Sequence, residues 1–269
     1  MPAKLTVSGL AKSFPNGCPA LGGVDFEVME GEFLSILGPS ACGKTTLLKV
    51  LAGLLPPTAG EVTKPQNASG FPSCGMLFQD LALFPWKTVQ ENVAVALKFK
   101  GKYGGEQKAA VSHYLRKMKL GGYEGFYPHQ LSGGMKQRVA LARIFASDPE
   151  VMLMDEPFGA LDAATRRLLQ EELVSLWESR RKTVVFVTHS ITEALLLSDR
   201  ILVLSARPGK IKKTIQVPFT RPRSYGILSD CRFSALESEL WGLLGGEVEK
   251  SLKEAGQVES GEAPSVFCP

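Results

Sequence analysis

The chain has 269 residues, 44% of them hydrophobic and 22% charged, with a formal net charge of +4. That is the make-up of a soluble globular protein with room for one large domain or two smaller ones, and too mildly basic to argue for a nucleic-acid partner. No run approaches the roughly 18 uncharged apolar residues of a membrane span, and the N-terminus lacks the apolar core of a secretory signal. The five cysteines, Cys18, Cys42, Cys74, Cys231 and Cys268, are scattered and never spaced C-x-x-C, which argues against a disulfide framework or a zinc site and for a reducing cytosol.

Short strands are expected at residues 4–7 and 24–28, separated by the turn-rich Phe14-Pro15-Asn16-Gly17. The apolar run Phe33-Leu34-Ser35-Ile36-Leu37 reads as a buried strand. It leads into Gly38-Pro39-Ser40-Ala41-Cys42-Gly43-Lys44-Thr45-Thr46, which fits G-x-x-x-x-G-K-[ST], and then into a helix over residues 47–52. A glycine-rich loop that opens a helix offers backbone N–H groups and the positive end of a helix dipole to an anion. Lys44 is expected to reach the β- and γ-phosphates of a nucleotide, and the Thr45 hydroxyl to ligate Mg²⁺. The competing reading, a plain glycine turn, does not account for Gly-Lys-Thr in register on strand, loop and helix. One residue in the loop stands out: Cys42, beside a helix N-terminus and Lys44, is expected to be a reactive, acidified thiol that a bound nucleotide would protect from alkylation.

A further strand is expected at residues 76–78, followed by a largely helical region over 89–147. Leu83-Phe84-Pro85-Trp86-Lys87-Thr88-Val89 is an apolar-aromatic turn: either a Trp buried under the helices or a partner-docking surface. The basic run Lys98, Lys100, Lys102, Lys108, Arg116, Lys117 and Lys119 reads as a solvated face rather than a lipid-facing one. Leu131-Ser132-Gly133-Gly134 starts another helix, with Ser132 as N-cap and Met135, Val139, Ala142 and Ala146 on the apolar face.

Apolar strands are expected at 151–154, 183–188 and 201–204, alternating with helices, which implies a mostly parallel sheet covered on both faces. The first ends in Asp155-Glu156. A phosphoryl-transfer site needs a carboxylate near Mg²⁺, for which Asp155 is placed, and a group to activate water, for which Glu156 is placed. Near the C-terminus, Phe233, Leu236, Leu240 and Leu243 recur at helical spacing, and from Gly245 onward the polar sequence is expected to fray.

Taken together, these motifs resemble the ATP-binding cassette (ABC) ATPases over residues 4–210. The phosphate loop is followed in order by Phe78-Gln79-Asp80, Leu131-Ser132-Gly133-Gly134, Asp155-Glu156, Ala160-Leu161-Asp162 and Thr188-His189. The resemblance implies an α/β fold: a P-loop NTPase, RecA-like core with a mostly parallel sheet, an N-terminal antiparallel β part and an inserted helical subdomain. The core would comprise residues 1–88 and 148–219, the helical subdomain 89–147, and a C-terminal extension 220–269. Phe14 would stack on adenine. Gln79 would sense Mg²⁺ and the attacking water, completing a metal set with Thr45 and Asp155. Glu156 would be the catalytic base, His189 the γ-phosphate switch, and Asp162 would communicate across a dimer. The cofactors implied are ATP and Mg²⁺. Ser132, Gly133 and Gly134 of one chain would close the nucleotide pocket of another, giving a head-to-tail homodimer with two sandwiched ATPs.

Phe84-Pro85-Trp86, Asp155-Glu156-Pro157-Phe158-Gly159-Ala160-Leu161-Asp162 and Leu204-Ser205-Ala206-Arg207-Pro208-Gly209-Lys210 look like the nitrate/sulfonate/taurine group of importers. There the cassette is a separate peripheral subunit on the cytoplasmic face of the membrane. It docks through the Phe84/Trp86 region onto transmembrane permease subunits and works indirectly with a solute-binding protein, with no nucleic acid involved. Ala41 stands where this group usually has glycine, and is strained if the position needs a positive φ; Met135 stands where many relatives have glutamine. The two other classes considered are a non-transport cassette acting on nucleic acid and an unrelated phosphate-loop kinase or GTPase. Against the first, the chain has neither a second cassette nor a long coiled-coil insert. Against the second, it has no Asn-Lys-x-Asp motif and the Ser132–Gly134 turn would have no role.

Overall fold

The structure is a computed structural model. It describes residues 2–15, 17–65, 73–98, 104–159 and 161–259, the last ten of these as backbone only. Asn16, Lys100, Lys102, Ala160 and the tail beyond 259, all named above, lie outside the described residues. The chain divides into two compact units, residues 1–72 with 183–269, and residues 73–182.

In the first unit, β1 (Ala3–Ser13) is the centre of an antiparallel sheet between β2 (Pro19–Met29) and β4 (Ala59–Thr63). β1 and β2 run further than the sequence implies. An antiparallel sheet can leave one face to water, so their polar residues alternate outward while Leu5, Val7, Val24, Phe26 and Val28 are buried. A second sheet runs in the order β7 (Thr183–Val187), β3 (Phe33–Leu37), β8 (Arg200–Leu204), β9 (Ile211–Gln216). β3 pairs in parallel with both β7 and β8, and β9 returns antiparallel to β8. Every residue of β3 and β7 is buried, the expected signature of central parallel strands.

α1 (Lys44–Leu51) follows β3, and α6 (Ile191–Leu197) follows β7. α7 (Cys231–Glu259) packs Phe233, Leu240 and Leu244 onto Leu37, Leu195, Val203 and Phe219. The face read from the sequence is thus the buried one, with Leu236 and Leu243 packed beside it. Fraying does not begin at Gly245: α7 continues to Glu259. One reason is Glu247, which is buried and ion-paired with Lys212 at 2.8 Å.

In the second unit, β5 (Cys74–Leu77) lies parallel to β6 (Val151–Asp155). The helices are α2 (Val89–Lys98), α3 (Gly104–Lys117), α4 (Gly133–Ser147) and α5 (Ala163–Glu178). α4 carries Val139, Ala142 and Ala146 inward, and Met135 is half-buried at its first turn. Trp177 anchors α5: it is fully buried, and its indole N–H donates to the Lys182 carbonyl at 2.6 Å. The exposed lysines and arginines of α3 form a solvated face, as read from sequence. No helix among the described residues is long and apolar enough to cross a membrane.

Candidate functional site: the phosphate loop and its companion motifs

The phosphate loop leaves the buried end of β3 and enters α1 through Gly43, whose φ of 102° puts it in the left-handed region. A Cβ on Gly43 would lie 2.6 Å from the Ala20 carbonyl oxygen, so only glycine fits this turn. Ala41 has φ 59°, and the positive φ that would strain an alanine is present. No side chain caps α1, and its first turn has no acidic residue. Its N-terminal end therefore suits an anion rather than a capping carboxylate. Lys44 is buried, and its ammonium donates to the carbonyls of Gly38 at 2.9 Å and Pro39 at 2.8 Å. A buried cation folded over its own loop, at an uncapped helix start, is the donor set a triphosphate requires, so the loop fits ATP. Ser40 is exposed, and Thr45 and Thr46 are half-buried beside Lys44.

Cys42 does not fulfil the expectation of reactivity. Its side chain is fully buried, with Sγ packed against Gly38 and 4.0 Å from the Lys44 ammonium. Burial pushes the thiol pKa up, and the Lys44 charge offsets only part of that rise. Desolvation of the thiolate outweighs the nearby cation, so Cys42 is a packing residue.

Phe14 is half-buried in a turn closed by two bonds: its N–H donates to Cys18 O at 2.9 Å, and its carbonyl accepts from Gly17 N at 2.9 Å. The ring is not a core aromatic; the Lys12 ammonium lies 5.9 Å from its centroid. His189 is exposed just past β7. The turn that carries it is pinned by Thr188, whose hydroxyl donates to Glu193 at 2.6 Å and accepts from Ser190 N at 3.0 Å.

In the second unit, Asp155 ends β6 and is 2% exposed. Glu156 follows it, half-buried, with φ 43°. A glutamate held in the left-handed region is the kind of backbone strain that gathers at reactive sites. Gln79 is exposed in the turn after β5. Ser132 caps α4, its hydroxyl accepting from Met135 N at 3.3 Å, with Gly133 and Gly134 as the first helical residues. Asp162 caps α5, accepting from Thr165 N at 3.0 Å, and that backbone N–H holds its carboxyl below the usual aspartate range. Sequence reading did not anticipate that capping.

Trp86 is 70% exposed, which rules out a Trp buried under the helices. Its ring packs on Phe84, with centroids 5.7 Å apart. Two residues missed in the sequence build this loop. Asn92, fully buried, exchanges bonds with Phe84 N at 2.8 Å and with the carbonyls of Phe84, Lys87 and Thr88. Arg143 donates to the carbonyls of Leu81 at 2.6 Å and Ala82 at 2.7 Å, and lies 5.8 Å from the Phe84 ring. The only sequence signal for either is polarity on an otherwise apolar helix face.

Residues 21–159 match the ABC transporter family. An uncharacterised ABC transporter ATP-binding protein of Methanocaldococcus jannaschii is 46% identical over 258 residues, covering 94% of this chain and 96% of that one. The aliphatic sulfonates import ATP-binding protein SsuB of Bacillus cereus is 45% identical over 230 residues, 82% of this chain and 88% of its own. Among solved structures, a dimeric ATP-binding cassette in a post-hydrolysis state with ADP and phosphate superposes with a TM-score of 0.71. It is 33% identical and covers 80% of this chain and all of that one. The chain belongs to the ABC transporter family. It is the ATP-binding subunit type, an α/β cassette with ATPase activity that uses ATP and Mg²⁺.

Proposed function

We propose that this cassette energises an importer, driving uptake of a small anionic, sulfonate-like solute through separate permease subunits at the cytoplasmic face of the membrane. The observation that carries the partner reading is Trp86: a largely exposed Trp on a loop braced by Asn92 and Arg143. Exposed, rigidly mounted Trp is a common interface anchor. The solute reading rests on the likeness to the sulfonate importer subunit.

In this reading residues 38–46 hold the triphosphate and Phe14 stacks on the base. Thr45, Gln79 and Asp155 would hold Mg²⁺, which supplies charge to the phosphate oxygens. Glu156 accepts a proton from water, His189 contacts the γ-phosphate, and Asp162 relays between subunits. Ser132, Gly133 and Gly134 belong to a pocket completed by a second copy, a reading that the dimeric form of the cassette above supports. The domain division is a core of 1–88 and 148–219, a helical insert 89–147 and an extension 220–269.

Proteoliposomes carrying the permease pair and a solute-binding protein test this. The wild-type cassette should support ATP-dependent alkanesulfonate uptake. Glu156→Gln should keep ATP binding while turnover falls roughly 10²–10⁴-fold. Trp86→Ala should retain ATP binding in solution yet fail to co-purify with the permease. Unchanged turnover in Glu156→Gln would sink the base assignment, and undiminished co-purification of Trp86→Ala would sink the docking assignment.

A further inference from the structure

Residues 205–210, between β8 and β9, touch both sides of the nucleotide loop region. On one side Gly209 packs backbone to backbone on the phosphate loop: a Cβ there would overlap the Cys42 carbonyl oxygen. Gly209 N donates to Ala20 O at 2.9 Å, and Gly209 O accepts from Gly22 N at 3.0 Å. On the other side, the Arg207 guanidinium donates through Nη1 to Cys18 Sγ at 3.1 Å. Cys18 closes the Phe14 turn, since its carbonyl accepts from Phe14 N. The Nε of Arg207 is buried and has no acceptor among the described residues.

The C-terminal extension reaches the same segment. Glu247 of α7 is 2% exposed, and its carboxylate accepts from Ala206 N at 2.8 Å while pairing with Lys212 at 2.8 Å. The residue before Arg207 is therefore fixed by a charge on a helix that no nucleotide motif includes.

We infer that Arg207 is a positioning residue for the nucleotide base, and that Glu247 of α7 holds it in place. The 205–210 segment acts as a brace that sets the Phe14 turn against the phosphate loop. This gives the C-terminal extension a part in ATP recognition. The inference rests on the reading of Phe14 as the base platform.

The two ideas separate in one set of titrations on the full chain, using ATP and inorganic tripolyphosphate, which has no base. Phe14→Ala should weaken ATP binding and leave tripolyphosphate binding alone. Arg207→Met should weaken ATP binding roughly fivefold, the equivalent of one ordinary hydrogen bond, also with tripolyphosphate unaffected. Arg207→Met added to Phe14→Ala should have no further effect. Glu247→Ala should follow Arg207→Met, and Glu247→Gln, which keeps an oxygen for Ala206 N, should restore binding. If Arg207→Met folds poorly by thermal melting, Cys18→Ala removes the same bond from its other end. Unchanged ATP affinity in Phe14→Ala overturns the platform reading itself. With that effect intact, an equal loss of ATP and tripolyphosphate in Arg207→Met, or no loss at all, overturns the brace.

Discussion

Two glycine-containing turns open helices in this protein, and they are built for different purposes. The turn before α1 has no side-chain cap and a left-handed Gly43, and a buried Lys44 is folded across it. The turn before α4 is capped by its own Ser132 hydroxyl. Gly134 there is explained by packing inside its own unit, because a Cβ would lie 2.7 Å from Thr165 Cγ2 on α5. The phosphate loop is shaped for an anion within its own chain. The turn before α4 is a finished helix start, with one of its free N–H groups already taken by its own cap.

Breaking the first turn should have the largest effect. Gly43→Ala forces a side chain into the Ala20 carbonyl at a φ of 102°. The cost in strain and contact is on the order of 1–3 kcal/mol, falling on the loop itself. ATP binding should be lost in titration while the far-ultraviolet spectrum stays native. Retained nanomolar-to-micromolar ATP binding would mean that the loop can open without its left-handed hinge.

The second turn offers a finer test. Gly134→Ala should destabilise the protein by about 1–3 kcal/mol through overpacking against Thr165. Thr165→Ser, which deletes the offending methyl, should recover most of the melting temperature. If Gly134→Ala/Thr165→Ser regains stability yet still lacks ATP-dependent dimerisation, glycine at 134 serves a ligand as well as α5. If dimerisation returns with stability, packing alone explains the glycine.

The contrast also shows why some of the molecule could be read from sequence and some could not. The central strands β3, β6, β7 and β8 were legible to within a residue or so, because burial on both faces leaves an unbroken apolar run. β4 and β9 were missed because most of their residues face water, leaving no such run. The phosphate loop was legible because its chemistry is contiguous. Arg143 and Glu247 were not, since their bonds reach 61 residues back to Ala82 and 41 back to Ala206, and spacing carries no trace of them. Cys42 was misread for a related reason: its neighbours in sequence predict acidity, and only the fold shows that the sulfur is buried.

The smallest expected effect is at Ala41, in the same loop as Gly43. Its φ of 59° costs an alanine roughly 1–2 kcal/mol. Ala41→Gly relieves that strain but gives the unfolded chain more freedom, which takes back about 0.4–1 kcal/mol. The net gain should therefore be a few tenths to about 1 kcal/mol, visible as a small rise in melting temperature. Ala41 is exposed, so no packing contact is lost to confuse the measurement. The gain must appear in the nucleotide-free protein, because the strain belongs to the loop and not to a ligand. A melting temperature that rises only when ATP is present would show instead that the loop relaxes at Ala41 when empty and adopts the left-handed turn on binding.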